Sequence, residues 1–334
     1  LNRLVKWVIF IALVVFACYW MSNFVSLGKF PTVSLPAETV FSIGGENGFK
    51  VTSTLIATVI ADIVLVLFAL AATRKIRAGS PEAEVPRGSQ NIFELLIDML
   101  YSLCKSVAGS KALKIFPWMA TIFLFVLFAN WMELLPGIES IGLIEQAHEG
   151  TGFKAVPVIP GLVYTVDQNQ PKQVEPGASA GETPAACDAC VVVPFVRTAT
   201  SDINTPLALA LITMTMVQVF GVRALGIKYF AKFINLPALR KGGMGYMFFV
   251  VGFLELVSEL ARILSFTFRL LGNIFAGSVL LLVMTSLIPF FLPIPFLGLE
   301  LFVGFIQALV FSMLALVFIN MAMASHDEHA EAHH

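Results

Sequence analysis

The apolar stretch from residue 246 to residue 290 constrains this chain more than any other part of it. As a single helix it would be roughly 65 Å long at about 1.5 Å per residue. That is about twice the hydrocarbon thickness of a bilayer. Within it, Glu255–Gly277 reads ELVSELARILSFTFRLLGNIFAG. Glu255, Ser258, Arg262, Ser265, Arg269 and Asn273 follow one another at steps of three or four residues, which lines them on one helix face. Most other positions are Leu, Ile, Phe or Val. A polar stripe on an apolar helix faces protein or water, not lipid. The stripe keeps its period through Gly272-Asn273, where a hairpin turn would have to fall, so the segment reads as one steeply tilted helix. Arg269 stands in the stripe as a cation that does not deprotonate. A fixed charge at membrane depth needs a function or a partner.

Composition agrees. Of 334 residues, 57% are hydrophobic and 13% charged, with a mean hydropathy of +0.85; soluble domains are about a quarter charged. The fold class is an all-α polytopic membrane protein. The net charge of −1 gives no pull toward nucleic acid. The chain has no GxxxxGK[ST] phosphate loop, and no cofactor or metal-ligand set is expected.

Spans are expected at 4–22, 51–72, 115–135 and 205–225, followed by the 246–290 helix and a last helix at 296–324. This makes about six membrane helices, the last two long and tilted as a membrane-embedded hairpin. Pro289, Pro293 and Pro295 mark the turn between them. Residues 4–22 read as a retained helix and not a signal peptide, since no A-x-A site follows. Residues 91–109 alternate as an amphipathic surface helix, with Glu94 and Asp98 on its solvated face. Trp118 and Trp131 suit interfacial anchors. The 23–50 loop holds a GGENG turn.

Arg74, Lys75, Arg77 and Arg87, and later Arg223, Lys228, Lys232, Arg240 and Lys241, place their loops on the cytoplasmic side. The polar connection 137–198 then lies outside, either partly ordered against the outer mouth or mobile. Its CDAC, Cys187 and Cys190, is read as a small-loop disulfide or as free thiols. Cys18 and Cys104 read as packing residues. The tail at 325–334, with His326, His329, His333 and His334, reads as solvated and cytoplasmic. Three regions follow: 1–50, an extra helix and outer loop; 51–330, the membrane body; and 325–334, the tail.

On the last helix, Glu300, Gly304 and Gln307 share a face. A hairpin would bring that face against the stripe, with Gly272, Ala276, Gly277 and Gly304 permitting close approach. Carboxylates, hydroxyls and amides in line are what an ion path needs. A permanent cation among them blocks a through-going cation wire and attracts a carboxylate from a partner. The residues therefore point to two half-paths meeting at a charged barrier, with the mobile acid supplied by another chain. Structural readings stand beside this one. Arg269 would pair with Glu300, or Arg262 with Glu255 or Glu259; Glu259 is three residues from Arg262, the spacing of a local pair. Ser258 and Ser265 would bond back to carbonyls, and Asn273 and Gln307 would only join helices. A self-contained secondary transporter would show inverted repeats, which are not found in the sequence. A structural anchor would make the stripe dispensable.

FRLLGNIFAG around Arg269 resembles the signature of subunit a of the F-type ATP synthase. The last helix, with Gln307 and then VFSMLALVFINMAMASHDEH, resembles that family's C-terminal helix and tail, and FLFVLFANWMELLPG and TSDINTPLALALITMTMVQVFGVRALG resemble its earlier spans. The resemblance covers roughly 51–330, apart from most of 140–195. It implies a proton-translocating, non-catalytic stator subunit in a bacterial-type energy-coupling membrane. Its implied partners are a rotor ring of c subunits, peripheral-stalk b subunits and the translocated H⁺, with Na⁺ as the alternative ion. Two aqueous half-channels would load and unload the ring carboxyls. Arg269 matches the essential arginine between them, with Asn273 and Gln307 as its polar neighbours. Glu255 and Ser258 match the inner half-path, flanked by Glu259, Arg262 and Ser265. Glu300 matches an outer position that is His or Glu in the family. Ser278 stands where some members carry an acid, which is a departure in this chain. Asp202 and Asn204 are candidates for an outer funnel.

Overall fold

The computed structural model describes residues 39–43, 49–77, 89–135, 141–146, 150–159, 163–174, 190–226, 229–230, 233, 243–287 and 291–324. The expected helix at 4–22, Cys18, Cys187, Arg87, Pro289, Lys228, Lys232, Arg240, Lys241 and the histidine tail lie outside these residues. In chain order the elements are β1 (Thr39–Ile43), β2 (Phe49–Thr52), α1 (Ser53–Arg77), α2 (Ser89–Ala108), a 3₁₀ turn (Gly109–Lys111) and α3 (Ala112–Met132). Then follow β3 (Gly142–Gln146), β4 (Gly150–Ile159), β5 (Val163–Val174), β6 (Cys190–Pro194), α4 (Asn204–Leu225), α5 (Gly243–Leu287) and α6 (Pro293–Met323). Five helical stretches are long and apolar enough to cross a membrane: Ser53–Ala71, Gln90–Met132, Asn204–Leu225, Val250–Thr285 and Pro293–Met323. The protein is an integral membrane protein, helical in its spans. The long apolar run is one uninterrupted 45-residue helix, as its unbroken period predicts.

The chain divides into two compact units. One holds α1 from Ala57, α2, α3, α4, α5 as far as Ile274 and α6 from Val303. Its centre is α3, where Ile115, Met119, Ile122 and Val126 form one buried stripe and Phe123 and Leu127 a second beside it. α2 buries Leu100 and Cys104 and exposes Asp98, as an amphipathic helix should, but it also exposes Ile92 and Leu95, and Glu94 is half-buried, accepting from Gln90 Nε2 at 2.8 Å. Gly109, at φ 55° in the left-handed region, lets the chain turn from α2 into α3. α4 contributes Ala210, Met214 and Val217, and α6 contributes Ala308, Phe311, Ala315 and Ile319, both at helical spacing. The Phe266 ring of α5 meets Phe311 edge-on, with centroids 4.6 Å apart. The end of α6 is tied down by polar groups: Lys111 Nζ donates to the Met323 carbonyl at 3.3 Å, and Asn320 Nδ2 donates to the Val107 carbonyl at 3.1 Å. The first of these satisfies a carbonyl that a helix C-terminus leaves without an intrahelical donor.

The other unit holds the strands, α5 from Phe275 and α6 as far as Phe302. β1 and β2 pair antiparallel, Ile43 opposite Phe49, flanking the GGENG turn segment. The polar connection between α3 and α4 contains a four-stranded antiparallel sheet in the order β3-β6-β4-β5. Its first and last strands pair with each other, Gly142 opposite Pro194 through Gln146 opposite Cys190, so the two ends of the connection are brought together. A Cβ at Gly142 would collide with the Val193 carbonyl, which is why this close pairing takes glycine. β4 and β5 form a long hairpin, joined to β6 at Phe153 opposite Cys190. Cys190 is disulfide-bonded.

The prolines need a correction. Pro293 and Pro295 do not form the turn before the last helix; they open α6 itself. First-turn amides lack an intrahelical acceptor, so proline loses nothing there.

Candidate functional site

One polar cluster is built in the helical unit. α5 places Glu255, Glu259 and Arg262 on successive turns. Arg262 Nη1 donates to Glu259 Oε1 at 2.7 Å, and Nη2 lies 3.7 Å from Glu255 Oε1. One guanidinium thus bridges two carboxylates unequally. Its plane also lies over the Phe318 ring of α6, 4.8 Å from the centroid. Glu259 is buried, 7% exposed, and among the described residues its Oε2 has no hydrogen-bond partner. Tyr229 Oη donates to Gln218 Oε1 of α4 at 2.6 Å, and its ring lies over Gly221, where a Cβ would collide with it. Burial pushes the Tyr229 phenol up to about 12, with the Glu259 and Glu255 charges adding to the rise and Arg262 opposing it.

Further along α5, Arg269 is half-buried. Among the described residues it makes no hydrogen bond or ion pair. Asn273 lies one turn on, and its Nδ2 is buried without a hydrogen-bond partner among the described residues; the same is true of Gln307 Nε2 on α6. Ser265 is exposed and Ser258 half-buried. Neither bonds back to a helix carbonyl, whereas Thr267 does, to Ile263 at 2.9 Å. Gly304 faces α3. Asn130 Nδ2 donates to its carbonyl at 3.1 Å, and a Cβ there would lie 3.2 Å from that of Asn130. Gly272 and Ala276 are exposed.

A second polar group belongs to the strand-bearing unit. Ser278 Oγ donates to Glu133 Oε1 at 2.6 Å, so a carboxylate from a distant part of the chain is bonded to this serine. Glu300 of α6 is 7% exposed. Its carboxylate occupies the space a Cβ at Gly277 would fill. Glycine is therefore the residue that admits this carboxylate against the α5 backbone.

Asp202 is buried and caps α4: its Oδ1 accepts from Asn204 N at 2.8 Å and Thr205 N at 3.3 Å. That is the bonding of a helix cap. Asn204 is exposed at the start of the helix.

The family model described as ATP synthase A chain matches residues 54–320, which include every polar group above. The chain belongs to this ATP synthase A chain family. Among its relatives, ATP synthase subunit a of Gloeobacter violaceus is 30% identical over 277 residues, spanning 83% of this chain and 85% of that one. ATP synthase subunit a 1 of Syntrophotalea carbinolica is 29% identical over 241 residues, 72% of this chain and 75% of the relative. In this family member, sequence reasoning overlooked Glu133, Tyr229 and Gln218. Glu133 had a signal, a carboxylate one residue beyond the last turn of a strongly apolar helix. Tyr229 and Gln218 had none, because their partnership depends on how the chain folds back after α4.

Proposed function

We propose that the chain is the stator subunit of an F-type ATP synthase, offering a rotor ring of c subunits two aqueous half-paths separated by Arg269. What supports this reading is family membership together with one observation: a half-buried guanidinium on a membrane helix without an anionic partner among the described residues. A cation so placed is costly, and a ring carboxyl passing it would supply the missing anion. The Arg269 charge then draws the proton off that carboxyl and blocks leakage past it. Glu255 and Ser258 serve the inner half-path. Ser278 and Glu300, with Glu133, serve the outer one. Asn273 and Gln307 offer their unpartnered donors to water or to the ring group. Glu259, Arg262 and Ser265 flank the inner path, and Asn204 borders the outer funnel that Asp202 holds in shape by capping α4. The translocated ion is H⁺, and the peripheral stalk is the second partner.

The C-terminus is cytoplasmic in this reading, with the sheet outside. The bonded Cys190 supports that sidedness, since disulfides persist on an oxidising side. Residues 1–50 are an addition before the membrane body at 51–330, and 325–334 a polar tail.

The test is Arg269→Ala in membranes carrying the assembled complex. Proton-driven ATP synthesis is expected to vanish and passive proton leak to rise. Unchanged synthesis overturns the reading.

A further inference from the structure

We propose that Glu259 is a positioning residue for Glu255: it occupies the short arm of Arg262 and so holds the guanidinium off the carboxylate that exchanges protons. This rests on the reading of Glu255 as an inner-path group. The geometry is unequal in the required sense, with Arg262 bonded to Glu259 at 2.7 Å and only within 3.7 Å of Glu255. Phe318 lies against the guanidinium, 4.8 Å from Arg262 Cζ to the ring centroid, within reach of both acids. Glu259 is the more buried of the pair, with side-chain exposure of 10% against 27% for Glu255. The acid that anchors the cation is therefore the one water reaches least. Tyr229, bonded to Gln218, is a further titratable group coupled to the cluster.

Without Glu259, Arg262 has a single carboxylate left to pair with and closes on Glu255. A proton arriving there must then compete with a close cation. The experiment is ATP-driven proton pumping by the assembled complex in inverted vesicles, as a function of pH, with subunit content measured in the same membranes. E259Q is expected to slow pumping about threefold to tenfold and to move its pH profile about one unit toward acid. E259D, which keeps the anion, is expected to keep the profile. The double variant E259Q/R262Q, having no guanidinium to capture Glu255, is expected to pump faster than E259Q alone. A purely structural pair predicts the reverse order, and a double variant no better than E259Q overturns the proposal, as does an unmoved E259Q profile. If E259Q does not accumulate, R262K carries the test. A lysine ammonium cannot bridge two carboxylates as the fork does, so it stays with Glu259 and the profile moves toward alkaline; no shift, or an acid shift, overturns the proposal. E255Q separates the two levels, because unimpaired pumping in that variant overturns the inner-path reading itself.

Discussion

Ser278 on α5 and Glu133, just beyond the end of α3, share a hydrogen bond of 2.6 Å from hydroxyl to carboxylate. This places an acid beside the serine for which the sequence resemblance implies an acid in some relatives. In the proposed path the titratable group is kept in the outer region, but on another part of the chain.

Glu133→Gln is accordingly expected to lower proton-driven ATP synthesis about tenfold or more, on the scale of losing one charged hydrogen bond of about 1.5–3 kcal/mol. Ser278→Ala, which leaves the acid in place, is expected to cost less. Synthesis rates in membranes with equal subunit content decide it; a milder effect for Glu133→Gln than for Ser278→Ala would remove Glu133 from the path.

Gly277 and Gly272 offer a matched comparison on one helix. A methyl at Gly277 meets the Glu300 carboxylate, while one at Gly272 meets nothing within 4 Å. Gly277→Ala must displace Glu300 or the backbone, at about 1–3 kcal/mol of overpacking, and should depress coupled synthesis. Gly272→Ala should leave the stability of the isolated chain unchanged. Thermal unfolding of the detergent-solubilised chain, followed by synthesis assays, reads both arms.

Tyr229→Phe removes the bond to Gln218 and should cost about 1 kcal/mol at neutral pH. Its pH dependence is distinctive. The phenol is raised in the fold from 10.0 to about 12. Stability arising from its neutral form is therefore complete below pH about 10 and lost as pH rises through about 12. The stability difference between parent and variant should shrink between pH 9 and about 11. Unfolding midpoints at the two pH values measure it, and a constant difference would contradict the assignment.

Asp202→Ala deletes both cap bonds and should destabilise α4 by about 1 kcal/mol. Asp202→Asn or Asp202→Ser keeps an oxygen acceptor and should recover most of that. If synthesis falls in all three while stability recovers in the capping variants, the charge of Asp202 serves the outer funnel directly.

The stripe from Glu255 to Asn273 was legible because helical periodicity is local: six residues at steps of three and four cannot share a face in any other regular element. The same locality made the 45-residue helix readable. The Arg262–Glu259 pair was legible as a candidate for a similar reason, being three residues apart on one helix. The outer sheet was less so. β5 reads VYTVDQNQPKQV, without clean alternation, and β3 pairs with β6 across more than forty intervening residues of polar chain. Such pairing depends on long-range closure, which leaves no periodic trace.

Sequence alone therefore determined the membrane class, the long apolar helices, the polar stripe and the family signature, because hydropathy and helical period are properties of consecutive residues. Only the tertiary structure decided which polar groups meet. It gave Ser278 a carboxylate partner in Glu133, seated Glu300 over Gly277 and turned Gly304 toward Asn130 of α3. These depend on residues up to 174 positions apart being brought within bonding distance. Side-chain hydrogen bonds are short and directional, so spacing along the chain cannot specify them until the helices have packed.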